Sequence, residues 1–138
     1  MFNHFEPSMM TFLRELQANN DREWFNEHKQ RYEAEVREPA LAFINEMDQW
    51  IRLISPHYEA SAKKVGGSLM RVYRDVRFSK DKSPYKNRWA GSFSRVKPQL
   101  RGGYYYNIQP GATVVGGGFY QPNPEDLRLI RDHLAQDD

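Results

Sequence analysis

The spacing of apolar side chains predicts three amphipathic helices in the first third of the chain. We expect Ser8 to cap the first helix, which ends near Asn19, and Asp21 to cap the second. Pro39 is expected to open the third, because proline disfavours helical backbone in the residue before it and suits a first helical turn. Ser55-Pro56 then ends the helical region. The apolar positions behind this prediction are Met9, Phe12, Leu13 and Leu16, then Trp24, Phe25, His28, Tyr32 and Val36, then Ala40, Phe43, Ile44, Met47 and Trp50 or Ile51.

After Gly66-Gly67 the period changes to two, which is typical of a half-buried strand. Residues 69–78 are predicted to form such a strand, with every second side chain on one face. Turn-forming residues cluster over 79–84 and predict a loop there. The residues expected on the polar face of the strand are Arg71, Tyr73, Asp75 and Arg77.

The remaining segments predict the rest of a sheet and one more helix. A weaker strand is expected over 91–96, and 104–108 and 113–120 are expected to form a hairpin around Pro110-Gly111. Asn123 and Pro124 open a last helix, whose apolar face carries Leu127, Ile130 and Leu134. The order predicts a single α+β domain over residues 1–138, in which N-terminal amphipathic helices pack on an antiparallel sheet, followed by a C-terminal helix.

The amino-acid composition excludes several kinds of functional site. The eight Phe, eight Tyr and three Trp supply much of the expected core, and the absence of cysteine excludes disulfides, thiolate metal sites and cysteine nucleophiles. The four histidines lack metal-ligand spacing, so neither a metal nor a cofactor is expected. No apolar stretch approaches the roughly 20 residues that span a bilayer, and the N-terminus does not resemble a secretory signal. We therefore expect a cytoplasmic protein without a membrane role.

Charge is divided unevenly along the chain. Residues 1–62 carry 6 Lys/Arg against 11 Asp/Glu, and residues 102–138 carry 2 against 5. Residues 63–101 carry 12 against 2, so the formal net charge of +2 hides a strongly basic middle third. Such a density of cations requires acidic side chains, water or an anionic ligand as partners.

Residues 71–88 hold the densest mixture of basic and aromatic side chains, and they predict a site for a small phosphorylated or carboxylated ligand. Two guanidinium groups on one strand face can bind an anion bidentately, and lysines from the following loop, with Arg88, can add charge. Turnover is left open, because nearby cations keep Asp75 and Asp81 ionised and make them poor bases. The candidate ligand-binding residues are Arg71, Tyr73, Asp75, Arg77, Ser79, Lys82, Tyr85 and Lys86.

Two alternatives use the same residues differently. A nucleic-acid-binding module would combine the basic patch with the rings of Tyr73, Tyr85, Trp89 and 104–106. A protein-interaction or structural domain would instead pair its arginines with internal carboxylates, including those of the acidic helical third. The glycines at 66–67 and 116–118 match neither a P-loop nor a dinucleotide fingerprint, and the oligomeric state is left open.

Three segments together resemble a family of conserved hypothetical proteins, domain of unknown function 2461. The longest is RVYRDVRFSKDKSPYK at 71–86, and it is accompanied by FLREL and NNDREWF in 12–25 and by GGGFYQP at 116–122. The resemblance implies that Arg71, Arg74, Asp75, Arg77, Ser79, Asp81, Lys82, Tyr85 and Lys86 belong to the family signature, but it implies no activity. Members of that family are usually longer, which leaves open whether the chain is truncated at its C-terminus.

Overall fold

A computed structural model describes residues 2–96 and 102–136. The fold is the expected α+β arrangement of N-terminal helices, a four-stranded antiparallel sheet and a C-terminal helix. None of the helices in this described part is both long and apolar enough to cross a membrane. The helices are α1 (Pro7–Ala18), α2 (Arg22–Glu27), α3 (Lys29–Tyr32), α4 (Glu38–Ile54) and α5 (Pro124–Gln136), with a π-helical segment at Glu33–Arg37 between α3 and α4.

The helix starts confirm one predicted cap and correct another. Asp21 caps α2, where its carboxylate accepts a hydrogen bond of 2.8 Å from the Trp24 amide. Ser8, however, lies inside α1, because Pro7 already occupies the first helical position. The second predicted helix is divided at His28 into α2 and α3.

Pro39 lies in the first turn of α4, as expected, but the predicted break in the helix at Glu38 is wrong. Glu38 has helical backbone angles, and the chain passes from the π-helical segment directly into α4. A π-helical turn shifts the hydrogen-bonding pattern by one residue, and this one ends at Arg37, two residues before Pro39, which lacks an N–H donor. Within α4 the core side chain near the C-terminus is Ile51, since Trp50 is half exposed.

The sheet consists of β1 (Tyr58–Glu59), β2 (Trp89–Arg95), β3 (Gly102–Ile108) and β4 (Val114–Phe119), in that spatial order. Helix α4 covers one face of its centre, where Phe43 packs edge-on against the rings of Trp89 and Tyr106. The Trp89 indole N–H donates to Met9 Sδ at 3.0 Å and so joins β2 to α1. Helices and sheet thus share one core.

The predicted strand over 69–78 is wrong. Only two isolated bridges occur there, Leu69 opposite Gly91 and Tyr73 opposite Tyr85, and the remaining residues form turns and irregular backbone. From Arg71 to Val76, more exposed and more buried side chains still alternate: Val72 is buried, whereas Arg71 and Tyr73 are exposed. The segment therefore lies over the core as an irregular loop. The other predictions for this half of the chain, the loop over 79–84, the strand near 91–96 and the hairpin, are confirmed.

Candidate functional site

The segment 71–88, here called the basic loop, is anchored by the end of helix α1. The Asn20 side-chain amide donates to the Tyr85 carbonyl at 2.8 Å, and its oxygen accepts from the Tyr85 amide at 3.0 Å. Phe25 of α2 stacks on the Tyr85 ring with 4.0 Å between centroids. Tyr85 is consequently buried, and its hydroxyl pKa is raised, chiefly by that burial.

The two arms of the basic loop are bonded to each other. The Lys86 amide donates to the Val72 carbonyl at 2.7 Å, and the Arg74 amide donates to the Pro84 carbonyl at 2.9 Å. These bonds flank the Tyr73–Tyr85 bridge, so the loop is a short irregular hairpin with a fixed base. Its side chains are therefore positioned by main-chain bonds.

Two of the arginines are neutralised inside the loop. Arg77 binds Asp75 through Nε at 2.9 Å and Nη2 at 2.7 Å, and Arg74 binds Asp81 at 2.8 Å. Hydrogen bonds from the Ser83 side chain and amide, together with Arg74, lower the pKa of Asp81 to about 2. The Lys82 ammonium caps the Val76 carbonyl at 2.7 Å.

The acidic helical third does not neutralise the basic loop. Those of its carboxylates that form ion pairs with arginines do so with arginines of the helices, and every ion pair of a loop cation among the described residues is made within the loop. The helical pairs are Arg31 with Glu15 and Glu35, Arg37 with Glu33, and Arg52 with Asp48 and Glu59. The positive charge expected from the sequence therefore remains at the loop.

Three cations, Arg71, Lys86 and Arg88, form what we call the basic cluster. Within the residues that the structure describes, none of the three has a carboxylate within ion-pair distance. The Lys86 ammonium donates to the Arg71 carbonyl at 2.6 Å. Burial, followed by the charges of Arg88 and Arg71, lowers the pKa of Lys86. The partly buried Lys86 thus lies beside two exposed like charges.

Lys86 and Arg88 open into a cavity of about 560 Å³, here called the polar cavity. It lies between the end of α1 and the basic loop, and apart from the Tyr85 ring its walls are polar. The carboxylates in its walls, Asp75 and Asp81, are those already bound to Arg77 and Arg74. Its neutral hydrogen-bonding groups include Gln17, Ser83 and Asn87.

A second cavity of about 300 Å³ lies on the other side of the loop, against α3 and the start of α4. Aromatic rings of Phe25, Tyr32 and Tyr73 contribute to its walls, and Arg71 reaches its rim with Lys63 and Lys64. Burial raises the pKa of Tyr32 to about 12, so its hydroxyl stays protonated at neutral pH. We call this the aromatic cavity.

The structure divides the predicted site residues among three places. Arg71 and Tyr73 lie at the aromatic cavity, and Asp75, Tyr85 and Lys86 lie at the polar cavity. Arg77, Ser79 and Lys82 line neither, so Arg71 and Arg77 do not share the strand face that was expected to hold an anion. Sequence reasoning missed Gln17 of α1 and Asn20 of the connection between α1 and α2, which both line the polar cavity. Their only signal was the place of Asn20 in the NNDREWF segment.

Burial removes several of the rings that a nucleic acid would need. Tyr85, Trp89 and Tyr106 are 5%, 3% and 3% exposed, so bases cannot stack on them without unfolding the core. Tyr73 and Tyr105 remain exposed. The described residues also hold no group of three or more His, Cys, Asp or Glu able to bind a metal ion.

Fold and site together define an α+β protein in which a helix end anchors a basic hairpin loop beside a polar cavity. The chain belongs to the family described as "Conserved hypothetical protein (DUF2461)", whose model matches residues 8–138. No curated protein and no solved structure matches the chain. Because the family description names no activity, the chemistry of the cavity is the ground for a functional proposal.

Proposed function

We propose that this protein binds a small ligand through a phosphate or carboxylate group held in the polar cavity by Lys86 and Arg88. One observation carries the proposal. Both cations face the cavity beside Arg71 without a carboxylate partner among the described residues, whereas Arg74 and Arg77 each have one. We propose the cytoplasm as the compartment, in keeping with the sequence.

The electrostatics favour an anion at this position. Burial of Lys86, followed by the like charges of Arg88 and Arg71, disfavours its charged form and lowers its pKa. An anion between Lys86 and Arg88 would remove the repulsion and gain charge-assisted hydrogen bonds. Arg88 supplies a planar fork that matches two oxygens, and Lys86 supplies a compact point charge.

The volume of the polar cavity and its neutral lining residues suit a small molecule. A cavity of about 560 Å³ falls within the range of roughly 300–1,000 Å³ that is usual for ligand sites. Gln17, Ser83 and Asn87 offer neutral donors and acceptors for the rest of the ligand. The proposal concerns binding, because neighbouring hydrogen bonds and arginines lower the pKa of both Asp75 and Asp81 and keep them ionised at neutral pH.

A thermal-shift screen tests the proposal. Phosphate, sulfate, acetate, sugar phosphates, nucleotides and short oligonucleotides would be added to wild type and to the Lys86→Gln/Arg88→Gln variant. We expect at least one small anion to raise the Tm of wild type and to leave that of the double variant unchanged. The matched control is Lys80→Gln/Lys82→Gln, which removes the same charge from residues of the loop outside the polar cavity and should respond like wild type.

Two outcomes would reject the proposal. One is an equal response of both double variants, which would mean that only the net charge of the loop matters. The other is stabilisation by oligonucleotides alone, with log affinity falling by about 0.9 per phosphate contacted for each unit of log salt, which is the behaviour of a nucleic-acid-binding protein. A site for one small anion would show a much shallower dependence on salt.

A further inference from the structure

Strand β4 forms one edge of the sheet, and in the part of the chain that the structure describes no other strand pairs with its outer side. Edge strands are usually protected from pairing by charges, proline, bulges or shortness. The six residues of β4 contain neither a charge nor a proline, and no charged residue occurs anywhere in 102–124. The edge is therefore open to another strand.

The pairing register across the sheet shows which main-chain groups of β4 point outward. It can be followed from β2. The Met70 amide donates to the Ala90 carbonyl at 2.9 Å, and the Ser92 amide donates to the Ser68 carbonyl at 3.1 Å. The main-chain groups of Ala90 and Ser92 therefore point away from β3. Because these groups alternate in direction along a strand, those of the intervening Gly91 point toward β3.

The same alternation carries across the sheet to its edge. Gly91 lies opposite Tyr106, so these two residues exchange hydrogen bonds, and Tyr105 directs its groups to Gly116 on β4. The residues of β4 next to Gly116 then turn their main-chain groups outward. In strand β4 the residues that direct their N–H and C=O to the outer edge are Val115, Gly117 and Phe119, and no described strand pairs with them there.

The side chains of these three residues lie on the face of the sheet that carries Tyr106. Residues directly opposite each other in a sheet share a face, and Val115 lies opposite the buried Tyr106. Helices cover that face over β2 and β3 but not over β4, since Val115 is 74% and Phe119 is 45% exposed. The open edge thus has an apolar border.

From this arrangement we infer that β4 pairs antiparallel with β4 of a second copy of this chain, in a register centred on Gly117. A two-fold axis at Gly117 places Val115 of one copy opposite Phe119 of the other, and the reverse, with all their outward main-chain groups in position to bond. Aromatic and β-branched residues opposite each other are favourable cross-strand pairs. The strand is therefore complementary to itself, which is the reason for naming a second copy as its partner.

The centre of β4 permits the main chain of a second copy to approach closely. Gly116–Gly118 carry no side chains, and a Cβ placed on Gly116 or Gly118 would meet no atom within 4 Å. Two uncharged strands also bring no charge repulsion to the contact. Pairing continues the sheet through the two-fold axis and uses the β4 edges of both copies, so the assembly closes as a dimer.

Sedimentation velocity over a range of protein concentrations tests the inference with Gly117→Pro. Proline at this position removes one outward N–H without removing a bond between β3 and β4. Gly117→Ala is the matched control, because it adds the same Cβ, which meets the Tyr104 ring at 3.3 Å, and keeps the N–H. We expect wild type and Gly117→Ala to dimerise with rising concentration and Gly117→Pro to stay monomeric.

Val115→Lys provides a second variant in case Gly117→Pro fails to fold, since its side chain is exposed in the monomer. We expect this variant to lose the dimer and to keep, at every concentration, the Tm that the wild type has at low concentration. Hydrogen exchange adds a pattern specific to strand pairing: the amides of Val115, Gly117 and Phe119 should exchange slowly at high concentration and rapidly at low concentration. A monomeric wild type at all concentrations, or a dimer that survives Val115→Lys, would overturn the inference.

Discussion

The side-chain amide of Asn20 bonds both main-chain groups of Tyr85, 65 residues away in the sequence. It does so as a neighbouring strand would, with one donor and one acceptor. This two-point contact ties the end of α1 to the base of the basic loop. The position of Lys86, the residue that follows Tyr85, depends on it.

Asn20→Ala should lower the free energy of unfolding by about 1–3 kcal/mol, because it leaves a partly buried N–H and C=O of Tyr85 without partners. Urea denaturation would measure the change. Asn19→Ala is the control, since the Asn19 side chain makes one exposed bond to the Glu15 carbonyl and should cost less than about 0.5 kcal/mol. Equal effects of the two substitutions would contradict the anchoring role of Asn20.

Gly91→Ala should destabilise the protein by about 1–3 kcal/mol through overpacking. A Cβ at this position would collide with the Ser68 carbonyl and the Tyr106 ring, which are joined by a hydrogen bond of 2.7 Å. Gly116→Ala adds the same atom where nothing lies within 4 Å and should leave the Tm nearly unchanged. If both variants have the Tm of wild type, β2 does not pack closely against Ser68 at Gly91.

Acid should remove the stabilisation that Asp81 gives to the loop through its hydrogen bonds from Ser83 and its ion pair with Arg74. The folded pKa of Asp81 is about 2 and its ordinary value is 3.8, so its stabilising contribution is complete well above pH 3.8 and is lost as the pH falls through 2. Asp81→Asn should therefore have a lower Tm than wild type at pH 6, and the difference should shrink below pH 3.8 and vanish below pH 2. A difference that does not change with pH would show that Asp81 acts through its shape rather than its charge.

The helices and the hairpin could be predicted because local signals and packing agree there. Asp21 caps the helix that it was expected to cap, and Asn123 accepts a hydrogen bond from the Asp126 amide at the start of α5. Pro39 gave a misleading signal for a break, since the backbone stays helical from the π-helical segment into α4. Apolar spacing also could not foresee that Leu134 of α5 would remain 68% exposed.

The basic loop could be predicted as a concentration of charge but not as a geometry. Alternating burial at 71–76 resembles that of a strand, yet a strand also needs a continuous main-chain partner, and here the partner is the other arm of the loop. Which arginines are neutralised depends on the fold of the loop: Arg77 turns back to Asp75, and Arg74 reaches Asp81. The contribution of Asn20 comes from the connection between α1 and α2, which is distant in the sequence, and has no local pattern.

Anion affinity should fall as the pH rises, and the fall should begin below the ordinary lysine pKa of 10.5. The pKa of Lys86 is lowered by burial and by Arg88 and Arg71, so its ammonium loses its proton earlier than an exposed lysine. Sulfate suits the titration, because its own charge does not change in this range. Lys86→Arg should retain sulfate binding to higher pH, and identical pH profiles for the two proteins would exclude Lys86 from the site.

The most direct test of the anion site is an NMR titration of the labelled wild-type protein with phosphate, followed at the backbone amides. The account predicts saturable shifts confined to Lys86, Asn87 and Arg88 and to the facing residues Gln17 and Asn20, and their loss in Lys86→Gln/Arg88→Gln. Shifts that never saturate, that spread equally over the exposed lysines, or that centre on Lys63, Lys64 and Arg71 at the aromatic cavity would contradict it.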